Sequence, residues 1–277
     1  MASSSTSRSP VLLPAFDKYY YYSQSVQSIE ADVEFIQRIY GEIHPGARAH
    51  SLREDFCGTF ALASAWVEDG GANRSYGLDL DPEPLAYGKE HFFAQLTPEQ
   101  QSRLDIRQAN VLTSELPRVD IACALNFSYF IFKQREQLKQ YFAKNFAALN
   151  PGGLFFLDCF GGPKCGEANE EETEDDELGY SYYWDQESYD PLTNEGLFYI
   201  HFKRQGEKKR ERVFTYNWRL WSLPELRDIL AEVGFPTSYV YWEGNDEEGD
   251  GNGEFTRVEQ GEECDAWVAY IVAVKGR

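Results

Sequence analysis

No two cysteines of this sequence stand at CxxC spacing, and the five present, Cys57, Cys123, Cys159, Cys165 and Cys264, are an odd number. The count fits reduced thiols better than a disulfide framework, so the cytoplasm is the expected compartment. No apolar run approaches the about 18 residues of a membrane span. Positive charge is scarce, with 26 Lys and Arg against 46 Asp and Glu and a formal net charge of −20. Such a field repels a nucleic-acid backbone unless a basic strip outweighs it. The dense basic run KRQGEKKRER at 203–212 lies between apolar alternating stretches and reads as a solvated turn, so no DNA partner is expected. His44, His50, His91 and His201 share no metal-ligand spacing, and no metal is expected. The stretch MASSSTSRSPVLLPAF lacks a proper apolar core and an Arg-rich amphipathic pattern; with the residues up to 27 it reads as a leader or lid segment.

What is present suffices for a well-buried core: 277 residues, 42% hydrophobic and 16% aromatic. SIEADVEFIQRIYGEI at 28–43 places Ile29, Val33, Ile36 and Ile43 at mostly helical spacing and ends before Pro45-Gly46. Strand-like segments then alternate with helical ones to about residue 160, which predicts a parallel sheet wound with helices and a ligand at the carboxyl ends of its strands. The acidic run GEANEEETEDDE at 166–177 is expected to be a mobile loop. YSYYWDQESY, GLFYIHFKR and RVFTYNWRLW follow as three antiparallel strands. SLPELRDILAEVGF restores a helix, with Ser222 as N-cap and Gly234 as C-cap, before two closing strands. The expected organisation is a cofactor-binding domain over 28–165 and 222–277 with an insertion over 166–221. NDEEGDGNGE at 245–254 is expected to be a solvated loop, because a calcium loop starting at Asp246 would put Arg257 where a bidentate Glu is required.

The segment SLREDFCGTFALASAW at 51–66 carries the chemistry. A nucleotide-like cofactor across a parallel sheet needs close backbone approach after the first strand and a carboxylate at the end of the second. Gly58-Thr59 and Asp79 supply these, about 20 residues apart as one βαβ unit requires.

Here the sequence resembles the class I S-adenosylmethionine-dependent methyltransferases, whose first motif is an acidic residue followed by spaced glycines. Glu54 takes the acidic position, and Phe56, Gly58 and Phe60 take the glycine positions. GLDLDPEPLAYGKEH resembles the ribose motif, QANVL the adenine motif, VDIACALNFSYF the fourth-strand motif, LNPGGLFFLD the turn before strand five, and WSLPELRDILAEVGF the helix before the last strand pair. The resemblance implies a Rossmann-like α/β fold: a mostly parallel seven-stranded sheet, helices on both faces, and an antiparallel insertion before the last helix. It implies S-adenosyl-L-methionine as cofactor and S-adenosyl-L-homocysteine as product. The contacts it implies come from Glu54, Asp55, Cys57, Gly58 and Thr59 in the first motif, Asp79 and Leu80 in the second, Asn110 and Val111 in the third, and Asn126 and Phe127 after strand four. Phe56 and Phe60 are expected to point into the core, leaving the N–H groups of 57–59 for the ligand. Cys57 reads more readily as a packed residue than as a nucleophile, and Asp81 before Pro82 as the turn residue.

Methyl transfer is an in-line displacement, in which positioning alone lowers a barrier by about 7–11 kcal/mol. With no evident catalytic His or Lys, the expected acceptor is a small-molecule amine or amino-acid nitrogen. Aromatic faces attract cations; Tyr129 is the expected substrate-positioning residue, with Tyr19, Tyr22, Trp184 and Trp218 around the acceptor and Arg219 for a carboxylate. A protein or RNA acceptor, a non-catalytic binding module, and a homo-oligomer formed through the insertion stand as alternatives.

Overall fold

The computed structural model describes residues 15–246 and 251–276, so the expectations for residues 1–14, and for the 247–250 part of the acidic glycine-rich stretch, fall outside it. In chain order, α1 (Lys18–Val26) and α2 (Ile29–Ile43) lead into β1 (Ser51–Asp55), α3 (Ala61–Glu68), β2 (Arg74–Asp79), α4 (Pro82–His91), α5 (Pro98–Gln101), β3 (Leu104–Gln108), β4 (Val119–Ala124), α6 (Arg135–Ala148) and β5 (Leu149–Gly161). Four further strands follow: β6 (Asn169–Asp175), β7 (Tyr180–Asp190), β8 (Glu195–Arg204) and β9 (Arg210–Arg219). The chain closes with α7 (Leu223–Glu232), β10 (Thr237–Asn245), β11 (Gly251–Val258) and β12 (Trp267–Val274).

The main sheet has eight strands in the order β11-β10-β12-β5-β4-β1-β2-β3. The strands from β3 to β5 run parallel, and β12, β10 and β11 are antiparallel. β11, part of the stretch expected to be a loop, adds one strand to the expected seven. Because β1 lies between β2 and β4, the strand order reverses beside it, and the crevice outside the carboxyl ends of β1 and β4 is the topological switch point.

Successive strand side chains point to opposite faces, and both faces are covered. Ile121, Cys123, Leu154 and Phe156 face one cluster with Val33, Ile36 and Ile39 of α2 and Leu62 and Trp66 of α3. Ala122, Ala124, Phe155 and Leu157 face another, built on α6 and α7 through Leu138, Phe142, Leu226 and Ile229. Local chemistry sets the helix ends. Asp81 caps α4 by accepting from Glu83 N–H, and Ser222 and Glu225 form a reciprocal capping box on α7, with Gly234 following at φ 114°.

The second sheet is a four-stranded antiparallel one, β6-β7-β8-β9. The acidic run is therefore not a loop: residues 169–175 form edge strand β6, paired residue by residue with β7. Glutamate is a poor strand former in isolation, but a hydrogen-bond ladder is available here, and charge on an edge strand discourages further pairing. Tyr180, Ile200, Phe202 and Phe214 turn the inner face toward Phe16, Tyr21 and Tyr22. Helix α1 thus spans from the second sheet to the start of α4, held by Lys18 to Glu83 (2.6 Å), Tyr87 to Asp17 (2.9 Å) and Ser25 to Tyr180 (2.8 Å).

Candidate functional site

The turn after β1 has φ of 58° at Phe56, 51° at Gly58 and 50° at Phe60. The left-handed backbone is kept at all three motif positions, although glycine remains only in the middle. Phe60 is fully buried, and Phe56 packs on Phe132 and Tyr141 at 5.8 and 5.6 Å between ring centres. Both rings point into the core, as expected. The backbone N–H groups differ from expectation: Cys57 N–H donates to the Leu78 carbonyl (3.0 Å), and Gly58 N–H to Asp79 Oδ2 (2.7 Å). Cys57 is buried against Phe60, Ala63 and Leu85, and burial pushes its thiol well above the usual range. It is a packing residue rather than a ligand contact.

A glycine inside α4 lets the turn lie this close. A Cβ on Gly88 would sit 2.1 Å from the Thr59 carbonyl oxygen and 2.5 Å from the Phe60 ring. A lone glycine in a helical pattern was the sequence signal for it.

Asp79 joins the ends of three strands. Its carboxylate takes Gly58 N–H and Asp81 N–H (2.8 Å), and its carbonyl takes Ala109 N–H (2.8 Å) after β3. Leu80 beside it is exposed, Val111 is buried in the core, and Asn110 Oδ1 takes Leu112 N–H (2.8 Å) to shape the turn. Glu54 accepts from Ala63 N–H at 3.0 Å near the N-terminus of α3, and burial raises its carboxyl to about 8.

Asp55 does not reach the crevice. One residue along the strand from Glu54, it faces the opposite side of the sheet, where Arg53 Nε (2.8 Å) and Tyr141 Oη (2.7 Å) donate to it in the core.

After β4, Asn126 and Phe127 are both left-handed, at φ 55°, and both N–H groups converge on Asp158 at the end of β5 (2.5 and 2.9 Å). Burial raises Asp158 to about 7, against the lowering effect of these donors. An acid inside the apolar run LFFLDCF is the sequence signal for Asp158. Tyr129, expected to position substrate, is fully buried and donates its hydroxyl to the Asp158 carbonyl at 2.6 Å. Its role is to pack and brace the end of β5.

Two cavities meet at this corner. One, of about 660 Å³, lies between the sheets and is walled by Phe160, Trp184, Tyr216, Trp218, Trp242 and Trp267, with Tyr22 at its edge. The other, of about 970 Å³, takes in Asp32, Asp158 and Tyr270. Val26, Asn126 and Glu243 line both. Of the residues expected around an acceptor, Tyr22, Trp184 and Trp218 are brought together here. Tyr19 packs instead on Tyr87 (4.8 Å) and Phe214 (6.1 Å). Arg219 stacks on Trp221 at 3.7 Å and pairs with Glu225 at 3.4 Å, so it meets no acceptor carboxylate. Trp242 and Glu243 come from β10 and Trp267 from β12, beyond the insertion and α7, and only the folded chain brings them in.

On the outer face of the second sheet, Glu170, Asp185 and His201 gather within 4.8 Å, a grouping hidden by their spacing. His201 Nδ1 accepts Arg212 N–H (2.7 Å), which leaves the proton on Nε2, directed at Asp185 Oδ2 (3.0 Å). That proton occupies the lone pair a metal would use.

No family model matches the chain, and no curated protein matches its sequence. Solved structures do share its fold. A S-adenosylmethionine-dependent methyltransferase from Clostridium acetobutylicum superposes with a TM-score of 0.68 at 18% identity, covering 94% of this chain and 98% of its own. The sugar N-methyltransferase KedS8 from Streptoalloteichus gives 0.62 at 19% identity, covering 100% and 99%. The amino pentose methyltransferase CalS10 from Micromonospora echinaspora, solved with bound S-adenosylmethionine, gives 0.62 at 14%, covering 94% and 99%. The chain has the Rossmann-like fold of these methyltransferases. Among the described residues no helix is long and apolar enough to cross a membrane.

Proposed function

We propose that the protein is an S-adenosylmethionine-dependent methyltransferase that places a methyl group on a nitrogen of a small-molecule acceptor. The observation that carries this reading is the junction of Asp79 with the left-handed turn at 56–60: a carboxylate at the end of β2 bonded to Gly58 N–H at 2.7 Å, beside the switch point of the sheet. A carboxylate at that place is the acceptor a ribose diol requires, and Gly88 lets the turn lie close against α4. When bound, the cofactor supplies an electrophilic methyl group on a sulfonium.

The residues of the chain then have separable tasks. Asp79 accepts from the ribose hydroxyls in exchange for a backbone donor. Glu54, largely protonated at neutral pH in the free protein, ionises toward a cationic ligand. The aromatic walls hold the acceptor and exclude water, and an acceptor nitrogen must shed its proton to expose a lone pair. Asp158, at the edge of the second cavity with its carboxyl raised to about 7, is matched to take such a proton near neutrality. The sugar N-methyltransferase of the same fold supports nitrogen over oxygen or carbon, and it and the amino pentose methyltransferase support a small molecule over a macromolecule.

Isothermal titration calorimetry with S-adenosylmethionine and S-adenosylhomocysteine tests the reading. Micromolar binding to the wild type and a loss of about 10- to 100-fold in Asp79→Ala are expected, the cost of one to two charge-assisted hydrogen bonds. Folded wild type that binds neither ligand would leave a non-catalytic module with a methyltransferase fold.

A further inference from the structure

The charges along the two cavities are one-sided. Among the described residues, the first contains a single basic side chain, Lys164, paired with Asp265 at 2.9 Å, and the second a single one, Arg38, paired with Glu42 at 2.8 Å and donating to the Phe255 carbonyl at 2.9 Å. Neither has an uncommitted cation to offer a phosphate or carboxylate. Acids are plentiful: Glu171, Glu243 and Asp265 in the first cavity, and Asp32, Glu34, Asp158 and Glu254 added in the second.

Glu243 stands apart because it lines both cavities and is built into place. The pairing of β10 with β11 shifts register between Glu243 and Asn245, and such an irregularity re-aims a side chain beside a site. Oε1 takes Gly253 N–H at 3.0 Å, which fixes one oxygen of the carboxylate. Aromatic faces line the first of these cavities with it, Trp242 lying against Trp267 at 5.0 Å and Tyr216 against Trp218 at 4.4 Å. Carboxylate and ring faces together suit an organic cation and repel an organic anion.

We propose that the acceptor is an organic ammonium ion free of phosphate and carboxylate groups, received in the aromatic cavity with Glu243 as its counter-ion. This rests on the nitrogen-methylation reading above and narrows it. Phosphate-bearing amines are excluded by the same walls, and the specificity lies in β10 and β11, outside the motifs that serve the cofactor.

The probes are choline, its uncharged carbon isostere 3,3-dimethylbutan-1-ol, and phenyl phosphate, titrated into the full chain while the fluorescence of the wall tryptophans is followed. Choline is expected to quench saturably, the isostere to bind at least about tenfold more weakly, and phenyl phosphate not to saturate, as a desolvated charge preference requires. Glu243→Gln keeps the shape and an acceptor for Gly253 N–H; it should weaken choline about tenfold and leave the isostere unchanged. Raising salt on the unaltered chain should weaken choline and not the isostere, a readout that needs no variant to fold. Phenyl phosphate binding as tightly as choline, or equal salt responses of choline and isostere, would overturn the proposal. S-adenosylhomocysteine calorimetry on the same sample separates the two readings: choline selectivity without cofactor binding removes the methyltransferase and keeps the cation site, and the reverse pattern removes only the cation site.

Discussion

At Phe60 two terms oppose each other. A non-glycine residue in the left-handed region costs about 1–2 kcal/mol, and full burial of a large apolar side chain returns about 1.5–3 kcal/mol. Phe60 has no exposed surface, so burial wins and the turn keeps its shape without its flanking glycines. Glu54 shows a similar contest, between desolvation and the Ala63 N–H, and desolvation wins by raising its carboxyl to about 8. A carboxyl raised on folding makes the folded state bind more protons than the unfolded one, so stability falls as pH rises from the ordinary carboxyl range to about 8. Glu54→Gln, which retains an acceptor for Ala63 N–H, removes that dependence. Melting temperatures at pH 5, 6, 7, 8 and 9 should therefore show the variant gaining on the wild type as pH rises, levelling off above 8. Parallel curves would mean that Glu54 is already ionised in the folded protein.

Among the elements, α4 shapes the site most although it contributes no functional side chain. Its N-terminus is set by Asp81 and Pro82, and Gly88 one and a half turns on lets it lie against the turn after β1. Gly88→Ala would press a methyl group on a backbone carbonyl, which cannot rotate aside. Overpacking of this kind costs about 1–3 kcal/mol, and the displaced turn should also bind S-adenosylhomocysteine less tightly. Urea denaturation and calorimetry of this variant measure both; a stability loss with unchanged affinity would show that the turn does not depend on α4 for its shape. The edge strand β6 makes the opposite point. Apart from Thr173 its residues are poor strand formers, and it forms because β7 offers a partner along its whole length, with Lys209 reaching Glu170 across the sheet.

For the whole molecule, charge acts at long range. A net charge of −20 draws cations toward any cleft and does so less as salt rises. S-adenosylmethionine carries a sulfonium charge that S-adenosylhomocysteine lacks. Its affinity should fall with ionic strength between 20 and 300 mM salt more steeply than that of the product, and equal slopes would show that the field of the protein plays no part. The architecture adds a second effect. The main sheet provides the switch point, the second sheet and α1 roof it, and the aromatic cavity lies between sheets whose strands are far apart in sequence.

The sequence by itself determined the parts that depend on near neighbours along the chain. The alternation of strands and helices, the caps at Asp81 and Ser222, the spacing from Gly58 to Asp79, and the inward rings of Phe56 and Phe60 all follow from periodicity, turn chemistry and the length of one βαβ unit. Tertiary structure alone decided which polar groups meet. A strand pattern shows that Glu54 and Asp55 face opposite ways but not which face holds Arg53 and Tyr141. It shows Tyr129 after β4 but not the carbonyl of Asp158 that takes its hydroxyl, 29 residues away. Arg219 donates to the Lys133 carbonyl at 3.1 Å, 86 residues away, and Glu243 and Trp267 reached the cavity through packing across distant strands. Burial and hydrogen-bond satisfaction are properties of the assembled core, where an unpaired polar group is costly. They therefore assign the long-range partners that no local pattern specifies.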